Sequence, residues 1–197
     1  MKKILQSRYL TSDDLKDFGF KSIGRNVRIS SDARIYGPEN ISIGNNVRID
    51  DFVILSAVKG YICIGNFVFI ARNSHLSGTL GITMHDFSSM AANTVIYSAS
   101  DDYSGEHLTA QAIPEKYTSY VGGPVSVEKH VIIGTASTVV GPCDIGEGCS
   151  IGAMSLVLKD LEPWGIYVGV PVKRIKERKK KLLEFEALFL AECRSKK

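Results

Sequence analysis

Two adjacent carboxylates and two histidines are the side chains best suited to proton transfer: Asp101 and Asp102, His85 and His107. Asp101 and Asp102 stand in the polar run Ser98-Ala-Ser-Asp-Asp-Tyr, and His107 follows six residues after Asp101. An imidazole titrates near neutrality, so it can take up and return a proton at working pH. An aspartate near its reference pKa of about 4 is a weak base for a hydroxyl, although burial or a neighbouring carboxylate raises that value. A neutral amine needs less help, because it is already a nucleophile. A carboxylate beside it has only to orient the nitrogen and receive its charge. The aspartate pair therefore suits an amine better than a hydroxyl, while His85 or His107 keeps a hydroxyl open.

His85 is singled out by a comparison internal to the chain. The segments ISIGNN (41–46), ICIGNF (62–67) and ITMHDF (82–87) repeat one another, and His85 fills the slot held by Gly44 and Gly65. Glycine suits a tight corner, so a histidine there gives up conformational ease for a titratable ring. Of the other histidines, His75 ends a hexad at an outward corner and reads as an exposed bystander. His130 lies in VEKHVI, where solvated residues are common.

A six-residue period must position these groups. From Val127 to Glu162 the chain divides into VEKHVI, IGTAST, VVGPCD, IGEGCS, IGAMSL and VLKDLE. Each block opens on an aliphatic residue: Val127, Ile133, Val139, Ile145, Ile151 and Val157. The fifth slot of most is small: Ser137, Cys143, Cys149 and Ser155. A period of six is neither helical nor a simple alternation. It fits a short strand and a corner per block, with three blocks closing a triangular coil of a β-solenoid. The earlier coils run to 20 or 21 residues. A lone coil cannot persist. It buries about three aliphatic side chains at roughly 1.5–3 kcal/mol each, against about 1–2 kcal/mol per residue to order the chain. Stacking is obligatory.

The remaining segments read as attachments to this stack. Residues 11–20 open on good helix-capping residues and stop at Gly19, which predicts a short N-terminal helix lidding the first coil. The period breaks after Ile96, and residues 98–123 must be thrown out from one corner. A loop of that length with Tyr103, Tyr117 and Tyr120 among its residues reads as functional. After Val172 the apolar spacing becomes helical, with Leu182, Phe185 and Phe189 on one stripe. The expected organisation is a capping segment at 1–22, a β-helix at 23–172 carrying the loop 98–123, and a C-terminal helix at 173–197.

Composition narrows the function classes. The 197-residue chain is 44% hydrophobic and 23% charged with a net charge of +3, too small to imply a nucleic-acid partner. No apolar run reaches a membrane span and the basic N-terminus lacks an apolar core, so a cytoplasmic protein is expected. Cys143 and Cys149 sit in inward slots, Cys63 and Cys193 are isolated, and no CxxC occurs, which favours structural thiols. The positive charge is concentrated in KRIKERKKK at 173–181, either a solvated face or a phosphate-binding patch.

The hexads, together with the tail from Asp160 to Lys176 (DLEPWGIYVGVPVKRIK), resemble the hexapeptide-repeat acyltransferases. The tail is similar to the closing signature of the galactoside and maltose acetyltransferase branch, and the resemblance covers 23–176. It implies an all-β, left-handed parallel β-helix and a homotrimer with sites at subunit boundaries. It also implies acetyl-CoA as acyl donor, with no metal. Coenzyme A would run beside the hexads, with Thr135 and Ala153 at positions matching family contacts and Lys173 and Lys176 where arginines meet nucleotide phosphates. The family's loop histidine, its general base, falls where this chain has Asp101. That departure shifts weight from sugar O-acetylation, the alternative, to N-acylation resembling the nucleotide-aminosugar N-acyltransferases of surface polysaccharide synthesis. Asp101 or Asp102 would orient the nucleophile, and His85 or His107 would carry the proton. A γ-type zinc carbonic anhydrase shares the fold, but the close histidine pair it needs after the insertion point is missing. A non-catalytic scaffold would want a flat repetitive face, and no Thr column runs through these hexads.

Overall fold

The computed structural model describes residues 8–110 and 112–195. The reading of the basic N-terminus at 1–7 and the last two residues of the expected C-terminal helix lie outside the described residues. The chain winds as a parallel β-solenoid with three faces. The first face stacks Ser22–Ile23, Ile41–Ile43, Ile62–Ile64, Ile82–Met84, Val125–Val127 and Cys143–Ile145. The second stacks Arg28–Ser30, Arg48–Ile49, Phe69–Ile70, Ser89–Met90, Ile132–Ile133, Ser150–Ile151 and Gly165–Val168. The third stacks Arg34–Tyr36, Ile54–Ser56, His75–Ser77, Val95–Tyr97, Thr138–Val140 and Leu156–Val157.

The hexad rule holds residue by residue. The six aliphatic openers from Val127 to Val157 are all 0–2% exposed, as are Ser137, Cys143, Cys149 and Ser155 in the small slots. Inward hydroxyls are satisfied locally: Ser88 donates to the His85 carbonyl (2.7 Å) and Ser137 to that of Gly152 (3.0 Å). A buried hydroxyl without such a partner would cost about 1–3 kcal/mol. Register confirms the coil lengths, with Ile41 beside Ile62, Ile62 beside Ile82, and Val125 beside Cys143.

Both ends depart from expectation. The N-terminal segment is a strand, Tyr9–Thr11, antiparallel to Arg28–Ser30, followed by turns rather than a helix. Asp14 accepts from the Thr11 amide and hydroxyl (both 2.8 Å), Ser12 donates to the Gly24 carbonyl (2.8 Å), and Leu15 enters the core. Helix nucleation is costly for so short a segment, whereas these turns seat Leu15 on the first coil directly. At the other end, Lys173–Glu177 is an antiparallel strand against Gly165–Val168, not the start of the helix. The one α-helix among the described residues, Leu182–Ser195, follows and folds back onto a corner of the solenoid. No helix of the described residues is long and apolar enough to cross a membrane.

That corner joins the first face to the second. Its left-handed residues stack as Phe67 on Phe87 (4.8 Å between centroids) and Phe87 on His130 (5.3 Å), with Phe189 of the helix edge-on to both phenyl rings. His130, expected to be solvated, is buried there.

Candidate active site

The protruding loop leaves the corner between the third and first faces and is tied at its base by a two-stranded ribbon, Ala99–Asp101 against Tyr120–Gly122. Gly122 lets it return: at φ 148° a side-chain Cβ would lie 2.4 Å from the Ser98 carbonyl oxygen. The ribbon sets Asp101 opposite Tyr120. Two clefts meet at this pair and share Ser77, Thr79, Asp101 and Tyr120. The first, about 400 Å³, lies under the loop and adds Ser56, Lys59, Thr109 and Glu115. The second, about 450 Å³, continues along the third face past Tyr97, Thr138 and Val140. Both fall in the size range of small-molecule sites. The Asp101 carboxylate makes no hydrogen bond or ion pair among the described residues.

Asp102 points the other way and is engaged by its own loop. It is 6% exposed, accepts from the Ser104 amide (2.7 Å) and lies 2.9 Å from His107 Nδ1. The Ser104 contact, then His107, holds its carboxyl down at about 2. The ligand atoms of Asp102, Glu106 and His107 lie within 4.8 Å of one another, spacing that a cation could use, but Glu106 and His107 are exposed and Asp102 is already hydrogen-bonded. His107 borders a shallow depression with Lys116 and Tyr117, not either Asp101 cleft.

His85 lies on a different corner, between the first and second faces, half exposed and 3.4 Å from Glu128. The structure does not bring it to Asp101 within one chain. Gly44 and Gly65 occupy its slot because the next coil presses on them: a Cβ on Gly44 would meet the Gly65 carbonyl at 2.7 Å. Close stacking, rather than a left-handed corner, explains those glycines. His75 is half-buried, not an exposed bystander. Its ring meets Tyr97 edge-on at 5.6 Å, and burial pushes its pKa down.

Thr135 and Ala153 are exposed and stack one coil apart at the corner between the second and third faces. The Thr135 hydroxyl is engaged with the Ala92 carbonyl (2.7 Å). The backbone amides of Thr135 and Ala153 donate to nothing among the described residues. Lys173 and Lys176 gain a common face from a register shift. Lys173 stands opposite Val168 and Lys176 opposite Ile166, the bulge absorbing Ile175. Opposed residues share a face of the sheet, so the two lysines point outward together although three residues apart. Arg178 in the same basic run is internal, donating to the carbonyls of His130 (2.7 Å) and Gly148 (3.0 Å). Sequence reasoning missed Lys59, Glu115 and the cleft faces of Ser77 and Thr79. Their only sequence signal is polarity at outward strand-end and loop positions.

No model of a protein family matches the chain. It is 45% identical over 181 residues, 92% of this chain and 94% of the other, to the dTDP-4-amino-4,6-dideoxy-D-glucose acyltransferase of Escherichia coli. AntD, an N-acyltransferase from Bacillus cereus, superposes with a TM-score of 0.90 at 46% identity, covering 96% of this chain and 100% of that one, in a complex with dTDP and 3-hydroxybutyryl-CoA. A serine-to-alanine form of AntD in complex with dTDP-4-amino-4,6-dideoxyglucose and coenzyme A gives 0.90 at 47% identity, covering 95% and 100%. Identity at this level over nearly the whole of both chains, on a solenoid whose clefts converge on one unpaired carboxylate, assigns the chain to the coenzyme A-dependent hexapeptide-repeat acyltransferases, the family of dTDP-4-amino-4,6-dideoxy-D-glucose acyltransferase.

Proposed function

We propose that the protein N-acylates a nucleotide-linked amino sugar of the dTDP-4-amino-4,6-dideoxyglucose class. The observation that carries this reading is Asp101, an unpaired carboxylate on the wall common to two clefts. A site for two substrates needs one reacting centre reached from both sides. The acceptor takes the cleft under the loop, and the donor takes the cleft along the third face. The donor continues over the corner of Thr135 and Ala153, whose free amides offer hydrogen bonds to the pantetheine, towards Lys173 and Lys176 on the hairpin. Those two lysines meet nucleotide phosphates as point charges without the bidentate fork of arginine.

The reaction follows from these placements. Asp101 accepts a hydrogen bond from the acceptor amine and holds its lone pair towards the thioester carbonyl. Attack forms the C–N bond and an oxyanion. Asp101 takes the proton released by the nitrogen as the C–S bond breaks, and the departing coenzyme A thiolate takes up that proton, which leaves Asp101 ionised again. Holding amine and thioester together removes the entropic cost of their encounter. No imidazole base is required, which agrees with His85 on another corner and His107 engaged by Asp102. The acceptor and donor classes named for the E. coli and B. cereus relatives support the same reading.

We further propose a cytoplasmic homotrimer, in which the flat solenoid faces are covered by neighbouring copies. A monomeric mass at micromolar concentration would overturn that assembly. The function itself is tested by thiol release from acetyl-CoA and 3-hydroxybutyryl-CoA with nucleotide-aminosugars and free sugars as acceptors. Turnover confined to nucleotide-linked amines is expected. Comparable turnover on free sugar hydroxyls would overturn N-acylation.

A further inference from the structure

Among the described residues that line the cleft under the loop there is one cation, and its position raises the question of which part of the acceptor it meets. Lys59 sits in the corner after Ile54–Ser56, 53% exposed at its side chain, and is ion-paired with Glu115 of the loop. Its ammonium also stands 5.6 Å from the Tyr120 ring centroid. Lys59, Glu115, Tyr120 and Asp101 line the same cavity. Glu115 reaches Lys59 from the short helical turn Glu115–Tyr117, and its side chain is 78% exposed, so it can leave without uncovering buried surface.

This cavity therefore holds one fixed carboxylate with no partner and one ammonium whose partner is a solvated, movable carboxylate. A nucleotide-linked amino sugar carries the complementary pair, an amine at the sugar and a diphosphate at the other end. We infer that Lys59 is the residue that selects a nucleotide-linked acceptor, binding its diphosphate by exchanging the Glu115 carboxylate for phosphate oxygens while Asp101 holds the amine. Glu115 then acts as a placeholder. It keeps the ammonium paired and the loop closed on an empty cleft, and it yields to a more highly charged anion. Tyr120, between the two charges, packs against the acceptor. This inference rests on the reading of the cleft as an acceptor site.

The two residues make opposite predictions, which separates ligand binding from loop pinning. Acylation of dTDP-4-amino-4,6-dideoxyglucose and calorimetric binding of dTDP are measured for the wild type and for Lys59→Met, Lys59→Arg and Glu115→Gln. Lys59→Met should raise the KM for the nucleotide acceptor and the Kd for dTDP by about 10- to 100-fold, the worth of a charge-assisted contact. The KM for acyl-CoA should stay within about twofold by the same argument, since the donor lies in the other cleft. Lys59→Arg should restore binding, and Glu115→Gln should bind dTDP at least as tightly as the wild type. If Lys59 only pins the loop, Lys59→Met and Glu115→Gln will weaken both substrates alike, and the inference is overturned. An unchanged KM and Kd in Lys59→Met overturns it while leaving the acceptor reading intact. A wild type that turns over no nucleotide-aminosugar overturns the acceptor reading itself, and this inference with it.

Discussion

Asp101 and Tyr120 face each other across the ribbon that closes the base of the loop, and both border both clefts. The chain thus places its one unpaired cleft carboxylate by backbone register, on a strand, rather than by a loop contact. Asp101→Asn preserves shape and one hydrogen-bonding oxygen but cannot accept a proton. Turnover should fall about 100- to 10,000-fold, the usual cost of losing a general base, with acetyl-CoA binding retained. His85→Ala and His107→Ala should stay within an order of magnitude. Near-normal rates in Asp101→Asn would show that the acceptor amine enters neutral and needs no protein base.

Asp102 predicts a different pH signature. Its carboxyl, ordinarily 3.8, is held at about 2 by Ser104 and His107. A group whose folded pKa is depressed stabilises the fold above its unfolded value, and that stabilisation is lost as pH falls through the folded value. Amide protection at 103–108, corrected for intrinsic exchange, should therefore be constant above pH 5 and decline between about 4 and about 2. Asp102→Asn should show low protection at all pH values and no such decline. A pH-independent loop in the wild type would sink this account.

Lys173 and Lys176 share a face only because of the bulge at Ile175. Lys176→Glu should weaken acetyl-CoA more than a pantetheine thioester lacking the nucleotide, and the difference should shrink in high salt. Equal effects on both ligands would reduce the basic strand to a solvated edge.

The hexads made the solenoid legible because inward and outward slots are set by the local period, and each inward aliphatic from Val127 to Val157 is buried as its slot requires. Asp101 is marked in the sequence as the residue standing where the resembled family has its loop histidine, and the structure places it on the wall of both clefts. What the period could not show depends on contacts distant in sequence. Lys59 meets Glu115 across 56 residues, joining a corner to a loop the hexads do not describe. The apolar stripe beyond the lysine pair at 173 and 176 predicts a helix that includes the pair, yet the edge left open by Gly165–Val168 recruits this segment as a strand. At 11–20 the capping residues predict a helix that does not form, since seating Leu15 on the open coil outweighs a short helix's own hydrogen bonds.

His130 was the least legible, and it carries the last prediction. Its hexad slot faces outward, but outward at this corner means towards the C-terminal helix. Nε2 of His130 donates to Glu186 (2.8 Å), whose other oxygen accepts from Lys129 (2.6 Å). Burial alone would raise the Glu186 pKa, but the bonds from Lys129 and His130 outweigh it and bring it below its ordinary 4.5. By the linkage argument, the helix should be fully docked above about pH 4.5 and loosen as pH falls below it. A double-mutant cycle of His130→Gln and Glu186→Gln should give a coupling of about 1–3 kcal/mol, as expected for a hydrogen bond to a charged group with little solvent access. Phe189→Ala should release the helix without changing the coil, because the ring packs on Phe67 and Phe87 from outside the solenoid. The readout is amide protection across 182–195 set beside that of the coil strands. Loss of protection in both together would mean that the helix and the solenoid unfold as one unit and that the latch has no independent existence.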